Sequence, residues 1–196
     1  MATWRKEQGC VAKSVATSNF VNIIAEKLGV PVMETPVGFK NFRPWLSRNA
    51  KQKALVAFEE SDGISGLNNT LEKDAQFGLL IALEIMAVTG KNLGEYLDAL
   101  YEEYGRFYPT RSGFEVDKSL VGAPLKAKVD AIATIAQPGA KVMVGSNEKT
   151  VKQLLTLDGV KVIFDDDSWM LVRPSGKINV VFFDNLCIPD SFITVI

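Results

Sequence analysis

The sequence predicts a three-layer α/β domain followed by a small α+β domain with an antiparallel sheet. Three observations predict it. Short apolar runs alternate with amphipathic helical stretches over residues 9–105, as in sheets covered by helices. A stretch rich in Pro, Ser, Gly and Arg at 106–113 breaks the pattern as a linker would. Beyond it, strand-like runs are grouped beside a pair of helical stretches. The expected division is 1–108 and 109–196.

In the first domain, residues 9–15 read as a strand that Lys13 interrupts mildly. Thr17, Ser18 and Asn19 are N-cap residue types. Val21, Ile24, Ala25 and Leu28 then follow at i, i+3, i+4 and i+7, one helical face, and Gly29 is placed to end it. Residues 30–33 read as a second strand. Residues 54–58 read as a third, apolar throughout and so buried on both faces. A polar loop at 59–70 leads to a helix over 71–88, with Phe77, Ile81, Ile85 and Val88 as its stripe and Gly90 as its stop. Asn92 with Glu95 forms a capping-box pattern ahead of a helix that Gly105 closes. The aromatic cluster Tyr96, Tyr101, Tyr104, Phe107 and Tyr108 suits packing of that helix end against the next domain.

In the second domain, residues 114–120 read as a strand. Pro124 suits the first turn of a helix bearing Leu125, Val129, Ile132 and Ala136. Residues 148–155 read as a second, shorter helix. Residues 160–164 and 169–172 read as a hairpin joined by an acidic turn, and 179–183 as a third strand.

Composition excludes several functions. With 47% hydrophobic and 23% charged residues, the chain has enough apolar material for a real core. Lys and Arg number 22 against 23 Asp and Glu, so no basic excess exists to hold a nucleic acid or an anionic membrane. Histidine is absent, which removes Ser-His-Asp triads, imidazole bases and His-ligated zinc. Cys10 and Cys187 show no CxxC or disulfide pattern; reduced thiols and a cytoplasmic location are expected. No secretory h-region is visible, and the apolar C-terminal stretch carries Asp184, Asn185, Pro189 and Asp190, so neither a signal peptide nor a membrane anchor is expected.

Three loops carry the residues with chemical potential. Residues 34–40 present Lys40 just past a strand end. Glu59, Glu60 and Ser61 directly follow the buried strand 54–58, where open α/β sheets bind ligands, and could bond sugar hydroxyls. Arg173, Pro174, Ser175 and Gly176 combine a guanidinium, a hydroxyl and a turn, a set suited to phosphate. Each alone also fits a solvated loop. Asp165, Asp166 and Asp167 fit a hairpin turn better than a magnesium site.

Taken together, SVATS (14–18), METPVGFKNF (33–42), FEESDGISG (58–66), EKDAQFGLLIALEIMA (72–87) and LVRPSG (171–176) resemble, in order and spacing, the C-terminal half of the α-D-phosphohexomutases, the phosphoglucomutase/phosphomannomutase family. The resemblance implies a third α/β domain and a fourth, TBP-like α+β domain. It implies transfer of a phosphoryl group between the 1- and 6-positions of a hexose by a phosphoserine, with magnesium on an Asp-rich loop. It makes Glu59 and Ser61 sugar ligands, places Lys40 and Lys73 near the cleft, and assigns Arg173, Ser175 and Gly176 to the distal phosphate of a hexose phosphate.

The departures are equally specific. The family's Ser-His-Asn-Pro and Asp-x-Asp-x-Asp motifs are absent, so no catalytic or metal-binding residue is assigned to this chain. Asp62 stands where the sugar loop usually has Gly, adding charge and a Cβ beside the ligand. Lys177, Ile178 and Asn179 stand where Thr-Glu-Pro is usual. The segment 185–196 is open to three readings: a divergent last strand, an interface, or the end of a broken gene. Two functions are therefore expected in competition. One is a sugar-phosphate-binding part that needs a separate N-terminal half and is inactive alone. The other is a non-catalytic module for interaction or self-association. An independent Glu59–Glu60 hydrolase is poor, since adjacent loop residues do not flank a substrate from two sides.

Overall fold

β1 (Cys10–Ser14) is the central strand of the first unit, and all five of its residues are buried. The computed structural model describes residues 6–61, 63–174 and 180–187, the last of these by backbone. The chain divides into units Met1–Gly105 and Arg106–Ile196.

In the first unit, β1 leads to α1 (Phe20–Lys27) and then β2 (Val32–Thr35), which returns parallel to β1. A 3-10 turn (Phe39–Phe42) and the short α2 (Arg43–Leu46) lead to β3 (Ala54–Phe58), parallel to β1 on its other side. β4 (Ile64–Gly66) adds antiparallel to β3, giving the order β2-β1-β3-β4. Both faces are covered, as parallel sheets require. On one, Phe39, Phe42 and Leu46 pack on Cys10, Ala12, Ala54 and Ala57. The small alanines leave room for the two Phe rings, which meet edge to face at 5.1 Å. On the other, α1 and α3 (Ala75–Thr89) flank an apolar cleft over Val11, Leu55 and Val56.

Asp74 caps α3: its side chain accepts the backbone N–H groups of Phe77 and Gln76. The Phe77 N–H above all, with Asn69 next, holds the Asp74 carboxyl below its ordinary range. α4 (Leu93–Tyr104) begins with the Asn92–Glu95 capping box, both bonds present. It packs on α1 through Phe20 and Tyr101, with rings 5.3 Å apart, and through Lys27 over the Tyr104 ring. Two members of the aromatic cluster thus serve a helix pair inside the first unit. α3 is apolar all round, with Glu84 its only charge, and it leaves Leu79 60% and Leu80 64% exposed.

The second unit runs β5 (Tyr108–Glu115), α5 (Ala123–Ile135), β6 (Lys141–Val144), β7 (Asn147–Leu155), β8 (Val160–Phe164), β9 (Trp169–Pro174) and β10 (Val180–Cys187). The six strands form one antiparallel sheet in the order β5-β10-β9-β8-β7-β6. α5 begins at Ala123 with Pro124 in its first turn, as its sequence predicts, and lays Leu125 and Val129 against Val160, Val162, Phe164 and Val172.

Four expectations are corrected. Residues 148–155 are strand β7, not a helix. The pattern of Val151, Leu154 and Leu155 was ambiguous in so short a run, and Gly145-Ser146 is a two-residue hairpin loop with Gly145 at φ 61°. α5 is therefore the only α-helix among the described residues of this unit. Residues 106–113 are mostly β5, a fully exposed edge strand whose polar composition reads as a linker. The strand expected at 114–120 ends at Glu115, and Lys118–Leu120 is a 3-10 turn. The polar loop 59–70 contains β4, too short to register as a period. Smaller shifts move β2 to Val32–Thr35 and the start of α3 to Ala75.

Gly66 packs where no Cβ fits: one built there lies 2.4 Å from the Leu55 carbonyl oxygen and 2.6 Å from the Phe77 ring. Gly66→Ala is expected to destabilise the first unit by about 2 kcal/mol. A lower urea midpoint with unchanged native circular dichroism is the outcome that checks it.

Candidate functional site

Because β1, β2 and β3 are parallel, their carboxyl ends at Ser14, Thr35 and Phe58 share one edge of the sheet. The loops that follow gather there, and the 2-1-3 order puts the topological switch point between β1 and β3. All four first-unit residues singled out from the sequence belong to this end. Glu59 is the best buried, its side chain 4% exposed. Its Oε1 accepts the Gly38 backbone N–H at 2.6 Å, which joins the loop after β2 to the loop after β3. Its backbone N–H donates to the Gly63 carbonyl at 2.9 Å. Lys73, half-exposed, brings its Nζ to 3.6 Å from Glu59 Oε2. Lys40 is exposed and has no ion-pair partner among the described residues. Ser61 is exposed.

Sequence reasoning missed what holds this edge together. Lys13, read as a mild interruption of a strand, is fully buried. Its Nζ contacts Glu34 Oε1 at 2.9 Å and donates to Asn19 Oδ1 at 2.9 Å, to the Thr17 carbonyl at 3.0 Å and to the Ser18 carbonyl at 3.3 Å. Asn19, expected to cap α1, spends its side-chain oxygen on Lys13 and makes no cap bond. The Phe20 N–H goes to Ser18 Oγ instead. Glu60, grouped with Glu59 as a ligand contact, accepts the Ser14 hydroxyl at 2.9 Å. The signal available was a lysine inside an apolar run, with one acidic residue in the neighbouring strand.

In the second unit, Arg173 lies in strand β9 rather than in a turn and is buried, 8% exposed. Ser175 and Gly176 lie outside the described residues, as do Asp62 and Lys177. The acidic turn does not fit a divalent cation. Asp166 receives Lys149 Nζ at 2.6 Å, and Asp167 is bonded by Lys152. Burial works against the Asp166 charge, but bonds from Lys149 and Ser168 outweigh it and hold the carboxyl below its ordinary range. Among the described residues no three acidic or thiol groups gather as metal ligands. Burial pushes the Cys10 thiol up, away from thiolate chemistry.

Comparison with known proteins adds to this geometry. The family description "Phosphoglucomutase/phosphomannomutase, alpha/beta/alpha domain III" matches residues 1–104. The chain belongs to the phosphoglucomutase/phosphomannomutase family. It is 28% identical over 179 residues to phosphoglucomutase 1 of Drosophila melanogaster, covering 84% of this chain and 31% of that protein. It is 32% identical over 168 residues to a phosphoglucomutase/phosphomannomutase of Thermococcus kodakarensis, covering 86% and 32%. The chain thus spans about a third of the length of these relatives. Parafusin, a phosphoglucomutase of Paramecium solved in an open form, shares the fold with a TM-score of 0.70, 23% identity, 98% of this chain and 35% of that one. A phosphoglucomutase/phosphomannomutase family protein of Burkholderia thailandensis aligns with a TM-score of 0.66, 18% identity, and coverage of 95% and 35%. The α/β/α unit followed by an α+β unit is therefore the arrangement of this phosphohexomutase family. Among the described residues, no single helix is long and apolar enough to cross a membrane.

Lys13→Met removes the cation from a carboxylate that is only 14% exposed. The expected cost is about 3 kcal/mol, the lower end for breaking a buried pair. Adding Glu34→Gln is expected to recover part of it. Urea denaturation of the single and double variants checks both.

Proposed function

We propose that the chain binds a hexose phosphate as the sugar- and phosphate-recognising part of a phosphohexomutase. Glu59 and Ser61 accept and donate bonds to sugar hydroxyls, with Lys40 and Lys73 supplying positive charge beside them. Arg173, Ser175 and Gly176 hold the distal phosphate. The observation that carries this reading is Glu59, buried at the carboxyl end of β3, tied to Gly38 and lying beside the Lys73 ammonium. Paired bonds from a guanidinium and a hydroxyl suit a phosphate at Arg173 and the residues that follow it. In the full family magnesium stabilises charge on the transferring phosphoryl group; the described residues of this chain do not supply its ligands. With no histidine, the sequence also lacks the family's Ser-His-Asn-Pro nucleophile motif. Phosphoryl transfer then needs groups this chain does not carry. A cytoplasmic location accords with hexose phosphate as ligand and with Cys10 as a free, buried thiol.

Isothermal titration of the chain with glucose 1-phosphate is expected to show saturable binding. Arg173→Ala should weaken it about tenfold or more, the loss of charge-assisted bonds. A parallel assay for conversion to glucose 6-phosphate is expected to stay at background. No binding by a folded chain would remove this reading, and turnover would remove the inactive-alone part of it.

A second reading has one observation in its favour. Leu79, Leu80 and Leu83 are 60%, 64% and 47% exposed on a helix with a single charge, and the chain's net charge is -1, so little opposes association of two copies through α3. Sedimentation velocity is expected to show a concentration-dependent dimer that Leu80→Lys disperses. A monomer at high concentration would dismiss it.

A further inference from the structure

The switch point between β1 and β3 is bridged by side chains rather than left open. Ser14 ends β1 and is fully buried; Glu60 lies in the loop after β3. Ser14 Oγ stands 2.9 Å from Glu60 Oε2 and 2.9 Å from Thr17 Oγ1. Proton counting orders these contacts. An ionised carboxylate only accepts, and a serine hydroxyl has one proton to give. Ser14 therefore donates to Glu60, and Thr17 donates to Ser14. Thr17 is itself 4% exposed, and its carbonyl is gripped by the buried Lys13 ammonium at 3.0 Å. A continuous chain of bonds thus runs from Lys13 through Thr17 and Ser14 to the sugar loop.

We propose that Glu60 is a positioning residue, not a ligand contact: held by Ser14 and Thr17, it aims its neighbours Glu59 and Ser61. This deepens the hexose-phosphate reading and rests on it for the identity of the ligand. Consecutive Cα atoms are only about 3.8 Å apart, so fixing the middle residue of three limits both flanking side chains. The same loop is pinned at Glu59 by the Gly38 N–H and at its own N–H by the Gly63 carbonyl. Two bonds to two other segments and one that closes within the loop leave it little freedom before a ligand arrives, which lowers the ordering cost of binding. The two glutamates, alike in sequence, have different tasks. Glu59 faces the Lys73 side; Glu60 faces the β1 side and takes a hydroxyl.

Hydrogen exchange on the ligand-free chain separates anchoring from binding. In Ser14→Ala and in Glu60→Ala, the Glu59 and Gly38 amides are expected to exchange about tenfold faster, while the amides of β1 and of β8 keep wild-type rates. Thr17→Val, which keeps shape but loses the donor, should behave like Ser14→Ala. Thr17→Ser, which keeps the hydroxyl, should stay near wild type. Glucose 1-phosphate affinity is expected to fall about tenfold in the first three variants and to be retained in Thr17→Ser. Unchanged exchange at Glu59 and Gly38 in both Ser14→Ala and Glu60→Ala would overturn the anchor, as would uniform acceleration across β1 and β3. Should the wild-type chain bind no hexose phosphate, the ligand reading falls, while the exchange rates still decide the anchor. If Ser14→Ala does not fold, the partly exposed Glu60→Ala carries the test.

Discussion

One buried ammonium organises the first unit. Lys13 sits directly opposite Glu34 in the β1–β2 ladder, and its three protons face four acceptors on one strand and one loop. The longest contact, to the Ser18 carbonyl, is the weakest share. A buried ion pair seldom adds net stability over an apolar substitute, because dehydration opposes the attraction. Its effect here is on specificity. A one-residue slip of β2 would carry Glu34 to the opposite face of the sheet and leave the ammonium without its counter-ion. Register and loop shape are thereby decided by the same atom.

That arrangement is one of several ties that cross the carboxyl edge of the sheet, although the edge is made of loops. Residues 15–19 are tied to Lys13, the loop after β2 to Glu59, and the loop after β3 to Ser14. Each tie joins a side chain on one segment to a group on another, so no loop is positioned by its own sequence alone. The second unit uses a simpler device. Its acidic turn is closed by Lys149, buried beneath Asp166 and Ser168, and by Lys152 at its surface.

The parts legible in the sequence are those where local chemistry and global fold agree. The capping box at Asn92, Pro124 at a helix start and the fully apolar run 54–58 each specify an element without outside help. The parts not legible depend on partners distant in sequence. β7 has an ambiguous period and becomes a strand because β8 and β6 pair with it. β5 is polar and exposed and becomes a strand because β10 pairs with it. At the site, motif resemblance singled out Glu59, Lys40, Ser61 and Lys73, and the structure places them at one sheet edge; their ligand roles remain the proposal above. Lys13 and the task of Glu60 were hidden because a bond between residues 14 and 60 leaves no trace in either segment.

The strand order of the second unit has a consequence for the birth of the protein. β6 to β9 are sequential neighbours and can zip together as each emerges from the ribosome. β5 cannot, because its one partner among the described residues is β10, which starts at Val180, about 65 residues after β5 ends at Glu115. At roughly 5–20 residues per second, that is several seconds during which β5 and the outer edge of β9 both wait, unpaired, for one strand. The sheet is therefore complete only once β10 emerges, and a nascent chain stalled before it would present two open edges to its surroundings.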